Sequence, residues 1–113
     1  MNDYMLLFRG RNRSLSPEQM QRSIEKWRGW FDELRRSGHL KDRGHPLQDS
    51  RKVVTGRQRT VTDGPFVEVK DLINGYTVVT ATDLTEAVEL ARGCPMLDIE
   101  GSVEVRQIEN GSP

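Results

Sequence analysis

A ferredoxin-like α+β plait, with two helices packed on one face of an antiparallel sheet, is the fold class that the order of elements predicts. Three observations carry it. A short apolar run, Tyr4 to Arg9, stands ahead of a long amphipathic stripe. Tyr76-Thr77-Val78-Val79-Thr80-Ala81 is β-branched and bounded by turn residues, as a central strand should be. A second capped helical segment then leads into alternating Val103, Val105 and Ile108. The expected order is strand, long helix, hairpin, charged turn, strand, helix, strand, which gives a βα-hairpin-βαβ arrangement. The helices of such a plait leave one sheet face bare, and large bare apolar faces are rare on monomers. That face is therefore expected to wall a pocket or to form a dimer interface.

The chain of 113 residues is expected to form a single domain over 1–113, with 110–113 a frayed tail. With 35% hydrophobic and 30% charged residues, the core must come from a few well-placed apolar faces. Seventeen basic residues balance seventeen acidic ones, so no overall field favours nucleic acid or an anionic membrane. Met5-Leu6-Leu7-Phe8 is too short for a membrane span or a signal-peptide core, and a cytoplasmic location is expected. The lone Cys94 can form no intrachain disulfide and reads as a semi-buried residue at a helix exit.

In chain order, Gly10 stops the first strand, and Arg9, Arg11 and Arg13 form a basic cluster that reads as a solvated loop, with anion binding as the other reading. Ser16-Pro17-Glu18-Gln19 is a capping-box helix start. Met20, Ile24, Trp27, Phe31 and Leu34 follow at spacings of four and three, which makes one apolar stripe with Trp30 beside it. Gly29 interrupts the opposite face, and Gly38 is the left-handed stop. Residues 39–47 read as a polar connection. Its histidines, His39 and His45, lack the compact spacing of a metal site, so neither metal nor cofactor is expected. Lys52–Thr55 and Gln58–Thr62 alternate as a hairpin around Gly56-Arg57. Asp83 to Glu86 is a second capping box, opening a helix whose face is Leu84, Ala87, Val88 and Ala91.

The chain is organised around Thr62-Asp63-Gly64-Pro65-Phe66, a strong turn followed by Glu68, Lys70 and Asp71. Asp63 has two readings: a general base or ligand anchor at a barrel mouth, or a carboxylate that caps nearby amides in the turn. Glu68 and Lys70 share strand parity. They form either a surface pair worth less than about 1 kcal/mol or a pocket lining in which Lys70 holds a carboxylate. Phe66 reads as a core plug, Tyr76 as packed with its hydroxyl at the pocket rim, and the tryptophans as core that could also line a ligand site. The ligand-binding candidates are thus Trp27, His45, Phe66, Glu68, Lys70 and Tyr76, with Asp63 as the candidate proton-transfer group.

Val61 to Phe66, with Glu68, Lys70 and Gly75-Tyr76, resembles the signature of the YCII-related family, in its DGPF branch. Tyr4 to Leu7, Ser16-Pro17-Glu18, Asp83 to Ala91, Cys94-Pro95 and Val103 to Arg106 extend the likeness over nearly the whole chain. The resemblance implies a dimeric α+β barrel in which two plaits pair sheet to sheet around a shared interior. It also implies a mostly uncharacterised group, some of whose members are linked to sigma-factor-like proteins and a few of which dehydrochlorinate small aromatic substrates. Relatives with proposed catalysis carry a histidine on the first helix, paired with an aspartate; counting back from Gly44 places that position at Trp27. An indole cannot accept and return a proton. Further departures are Glu68-Val69-Lys70-Asp71, which keeps the charges of the usual Glu-Thr-Lys-Glu, and Asn74-Gly75 in place of Gly-Gly.

Three functions follow as alternatives. A small-molecule-binding homodimer without chemistry leads. The second is a small lyase, isomerase or dehydrochlorinase in which Asp63 moves a proton, with His45 as its possible helper. The third is a protein-interaction module linked to transcription, with the arginine cluster as its surface. Neither nucleic acid nor membrane is an expected partner.

Overall fold

The computed structural model describes residues 1–10 and 14–109. Strand β1 (Asn2–Arg9) and helix α1 (Pro17–Arg36) open the chain, followed by β2 (Leu40–Asp42), β3 (Val53–Thr55) and β4 (Thr60–Thr62). Strand β5 (Ile73–Ala81), helix α2 (Leu84–Ala91) and strand β6 (Ser102–Gln107) complete it. Short 3-10 turns cover Val69–Asp71 and Pro95–Ile99. The main sheet has the order β2-β5-β1-β6, antiparallel throughout. This is the strand order of a ferredoxin-like plait.

The alternation of β1 sorts its side chains between two faces. Tyr4, Leu6 and Phe8 are buried and sit opposite Val79, Thr77 and Gly75 of β5. On the other side, Leu6 and Phe8 face Val105 and Val103 of β6. These residues join Trp30, Phe31 and Leu34 of α1 and Ala87 and Ala91 of α2 in one core. The opposite face carries Asp3, Met5, Leu7 and Arg9 and, among the described residues, has no helix on it, as expected from the sequence.

Helix α1 starts as its sequence dictates. Ser16 Oγ accepts from the Gln19 amide at 3.1 Å, and Gln19 Oε1 accepts from the Ser16 amide at 2.8 Å. The amphipathic stripe is only half used, however. Met20 and Ile24 are exposed, whereas Trp30, placed beside the stripe, is buried and donates its indole N–H to the Leu90 carbonyl at 3.1 Å. The buried residues of the helix lie in its C-terminal half, so the side chains of its first turns stay partly open to solvent. Nothing approaches Gly29, whose position therefore only weakens the helix. In α2 the small Ala87 and Ala91 allow close contact, while Leu84 and Val88 stay exposed. Asp83 accepts from the Glu86 amide at 2.9 Å, but Glu86 reaches back to the Thr82 amide, one residue earlier than a capping box would have it.

Two elements differ from expectation. Leu40–Asp42, expected within a polar loop, is an edge strand paired with β5. The tertiary partner supplies the ladder that its short polar sequence does not announce. The hairpin β3–β4 exists, but as a separate two-stranded sheet inserted between the second and third strands of the plait. Its Val54 and Val61 are exposed.

Beyond β2 the chain runs along the edge of β5 instead of leaving it. The Tyr76 amide donates to the His45 carbonyl at 3.3 Å, and the Leu47 amide to the Asn74 carbonyl at 2.7 Å. The fully buried Thr77 donates its hydroxyl to the Arg43 carbonyl at 2.8 Å. Gly44 makes this approach possible. Its φ is +72°, and an added Cβ would collide with the Tyr76 carbonyl.

No helix among the described residues is long and apolar enough to cross a membrane. The arginine cluster is only partly described: Arg9 pairs with Glu104 at 2.6 Å, while Arg11 and Arg13, like the tail 110–113, lie outside the described residues.

Cys94 is fully buried, more so than a helix-exit residue was expected to be, and burial pushes its thiol from 9.0 up to about 12. Because the native thiol holds its proton while the unfolded one ionises, the stabilisation it contributes is present below pH 9 and declines between pH 9 and 12. Cys94→Ala should flatten the fall of stability over that window in urea titrations, and native Cys94 should resist iodoacetamide at pH 8 until the chain unfolds. Gly44→Ala combines a positive φ with a backbone collision and should cost more than about 2 kcal/mol, read as a lowered urea midpoint beside a Gly29→Ala control whose midpoint rises, since an open helical glycine is replaced by a better helix former.

Candidate functional site

The backbone approach of residues 43–47 to β5 leaves a cleft between that segment and α1. Its volume is about 380 Å³. Phe8 from the end of β1 and Trp27 and Phe31 from α1 form its aromatic wall. Arg43 and His45 supply the polar edge, Tyr76 of β5 enters the lining where the 43–47 segment crosses it, and Met96 and Ile99 of the second 3-10 turn contribute further apolar surface.

The wall is rigid because its rings brace one another. Phe8 and Trp27 meet edge to face with centroids 5.1 Å apart, Trp27 lies 5.7 Å from Trp30 and 5.8 Å from Phe31, and Trp30 and Phe31 are 5.3 Å apart. Such pairs are each worth about 0.5–1.5 kcal/mol beyond simple burial. The hydrogen bond from Trp30 to Leu90 fixes the ring at the back of the cluster, so the half-buried Trp27 presents a fixed surface to the cleft.

The polar edge is held by main-chain geometry. The Arg43 carbonyl is tied to Thr77, and Asp42 Oδ1 accepts from the Gly44 amide at 2.8 Å, which sets the turn that presents Arg43 and His45. The Arg43 guanidinium carbon lies 4.7 Å from the Phe31 ring centroid, a cation–π contact. The His45 ring stands edge-on to Tyr76, with centroids 6.2 Å apart. Among the described residues, no group of three or more His, Cys, Asp or Glu is placed to hold a metal ion.

Of the residues singled out in the sequence, Trp27, His45 and Tyr76 therefore meet at one cleft, and Asp63, Phe66, Glu68 and Lys70 do not line it. The side chain of Asp63 is 83% exposed and pairs with Lys52 Nζ at 2.6 Å. It does not cap the turn either: the Gly64 amide donates to Thr62 Oγ1 at 3.0 Å. Arg51 closes the same turn on the Pro65 carbonyl. Phe66 is 90% exposed and so is no core plug. Glu68 and Lys70 do form the surface pair, at 3.5 Å, but at the start of a 3-10 turn instead of on a strand. The physical reason is shared by all four. The segment that bears them follows the detached hairpin, and within one chain nothing folds back over it.

Arg43 is the site residue that sequence reasoning missed. Its signal was the neighbouring Gly44, whose forced positive φ marks a turn held against another strand.

No curated protein sequence matches the chain. Among solved structures, the chain resembles the 5-chloro-2-hydroxyhydroquinone dehydrochlorinase TftG of Burkholderia phenoliruptrix AC1100, described in complex with 2,5-dihydroxybenzoquinone. The TM-score is 0.51 at 13% identity, with 96% of this chain and 95% of that one covered, a likeness of fold. The model of the YCII-related domain matches residues 3–110, so the chain belongs to the YCII-related family.

Proposed function

We propose that this protein binds a small aromatic molecule in the cleft between α1 and the 43–47 segment, without itself carrying out chemistry there. The observation behind this reading is the braced aromatic wall of Phe8, Trp27 and Phe31 facing a volume suited to one ring system. The structural neighbour's complex with 2,5-dihydroxybenzoquinone supports a ligand of that size and shape. Trp27, His45 and Tyr76 are the proposed contacts. A proton-transfer role for Asp63 has little support, because a solvated carboxylate paired with Lys52 lacks the desolvated setting that tunes a catalytic base.

Within the family, Asp63-Gly64-Pro65-Phe66 supports the DGPF branch, and a free buried thiol suits a cytoplasmic location. We further propose that the working unit is a homodimer joined through the helix-free sheet face. Met5, Leu7 and Val78 lie there between the Arg9–Glu104 and Asp3–Lys41 ion pairs. The flanking charges would set the register of a pairing whose centre is apolar. Leu7→Glu should shift the light-scattering mass of the protein to that of one chain, and an unchanged mass would count against this face.

Calorimetric titration with 1,4-dihydroxybenzene and related small phenols tests the binding reading. Saturable binding is expected, weakened about tenfold in Trp27→Ala, the ~1.4 kcal/mol of a lost aromatic wall. Asp63→Asn should leave it unchanged. If no such compound binds, or if Asp63→Asn abolishes binding while Trp27→Ala does not, the cleft is not the site.

A further inference from the structure

The cleft's charge is one-sided. Arg43 lies on its edge and, among the described residues, no Asp or Glu lines it. In a chain with as many acidic as basic residues, a guanidinium without a carboxylate beside it is notable. The nearest candidate in sequence, Asp42, is not in the lining and has its Oδ1 committed to the Gly44 amide at 2.8 Å. Among the described residues, the contact made by the Arg43 side chain is with the face of the Phe31 ring, at 4.7 Å. The backbone of Arg43 is anchored through the buried Thr77 hydroxyl, so the main chain that carries the guanidinium is fixed beside the cleft, and the side chain rests on the Phe31 ring. A stacked guanidinium keeps its in-plane N–H donors available, in a fork that matches a carboxylate.

Resting on the reading of this cleft as a small-aromatic site, we infer that its ligand is an aromatic anion, an aryl carboxylate, whose ring lies against Trp27 and Phe8 and whose charge is received by Arg43. Arg43 is then the specificity-determining residue of the site. Neutral aromatics fill the same space but leave the guanidinium unpaired, and cationic ones meet it unfavourably.

Benzoate, benzamide and benzylamine present one ring with a negative, neutral and positive head group. Calorimetry with the wild-type protein should give benzoate at least tenfold tighter than benzamide, with benzylamine the weakest. Added sodium chloride should weaken benzoate and leave benzamide unchanged. Arg43→Gln should bring the benzoate-to-benzamide ratio close to one while preserving the benzamide affinity, and Arg43→Lys should restore part of the preference. Thermal melts of both variants establish that they are folded, and the wild-type ratio with its salt dependence tests the inference without any variant. Equal affinities for benzoate and benzamide, or a preference that survives in Arg43→Gln, would overturn the role of Arg43 and leave the aromatic site standing. Failure of all three compounds and of the phenols to bind would overturn both readings together.

Discussion

The molecule depends on the close passage of residues 43–47 along the edge of β5. The bonds from Tyr76 to His45 and from Leu47 to Asn74 extend the sheet beyond the three-residue β2, and Gly44 is what lets the two backbones come so near. Without that passage β5 would be an open edge over this stretch and the cleft would lose one of its sides. The same contacts that satisfy the backbone also aim Arg43 and His45. Stability and site geometry thus rest on one stretch of main chain, which is firmer than a site carried by a free loop.

The aromatic cluster completes the other side. Trp27, Trp30, Phe31 and Phe8 form a continuous set of ring contacts that runs from the core to the cleft surface. Among them Trp30 carries a polar tether, its indole N–H donating to the Leu90 carbonyl. Trp27 extends the core outward and supplies a flat apolar face to the cleft.

Much of the fold was legible because local and long-range signals agree there. Ser16 to Gln19, the β-branched run of β5 and the alternation of β1 each point to one structure, and each forms it. The difficulties arose where tertiary partners decide. Leu40–Asp42 has no strand pattern of its own and becomes one by lying beside Val79 and Val78. Met20 and Ile24 obey the helical period, yet the sheet does not extend beneath them. In the site, Trp27 and Tyr76 were legible as large rings near expected packing surfaces. The acidic turn was conspicuous for its chemistry but sits on a segment with no tertiary cover, and sequence gives no measure of cover. Arg43 was illegible for the opposite reason: it is one of many arginines, distinguished only by what the fold puts around it.

The detached β3–β4 hairpin has a consequence of its own. It is joined to the body at its ends, makes its ladder internally and keeps Val54 and Val61 in water. Two strands alone are at best marginally stable. This appendage should accordingly melt and re-form many times while the plait stays intact, as a separate cooperative unit of low opening free energy. Natural variation in length is cheapest at such a place, because neither the core nor the cleft registers a residue gained or lost at its tip.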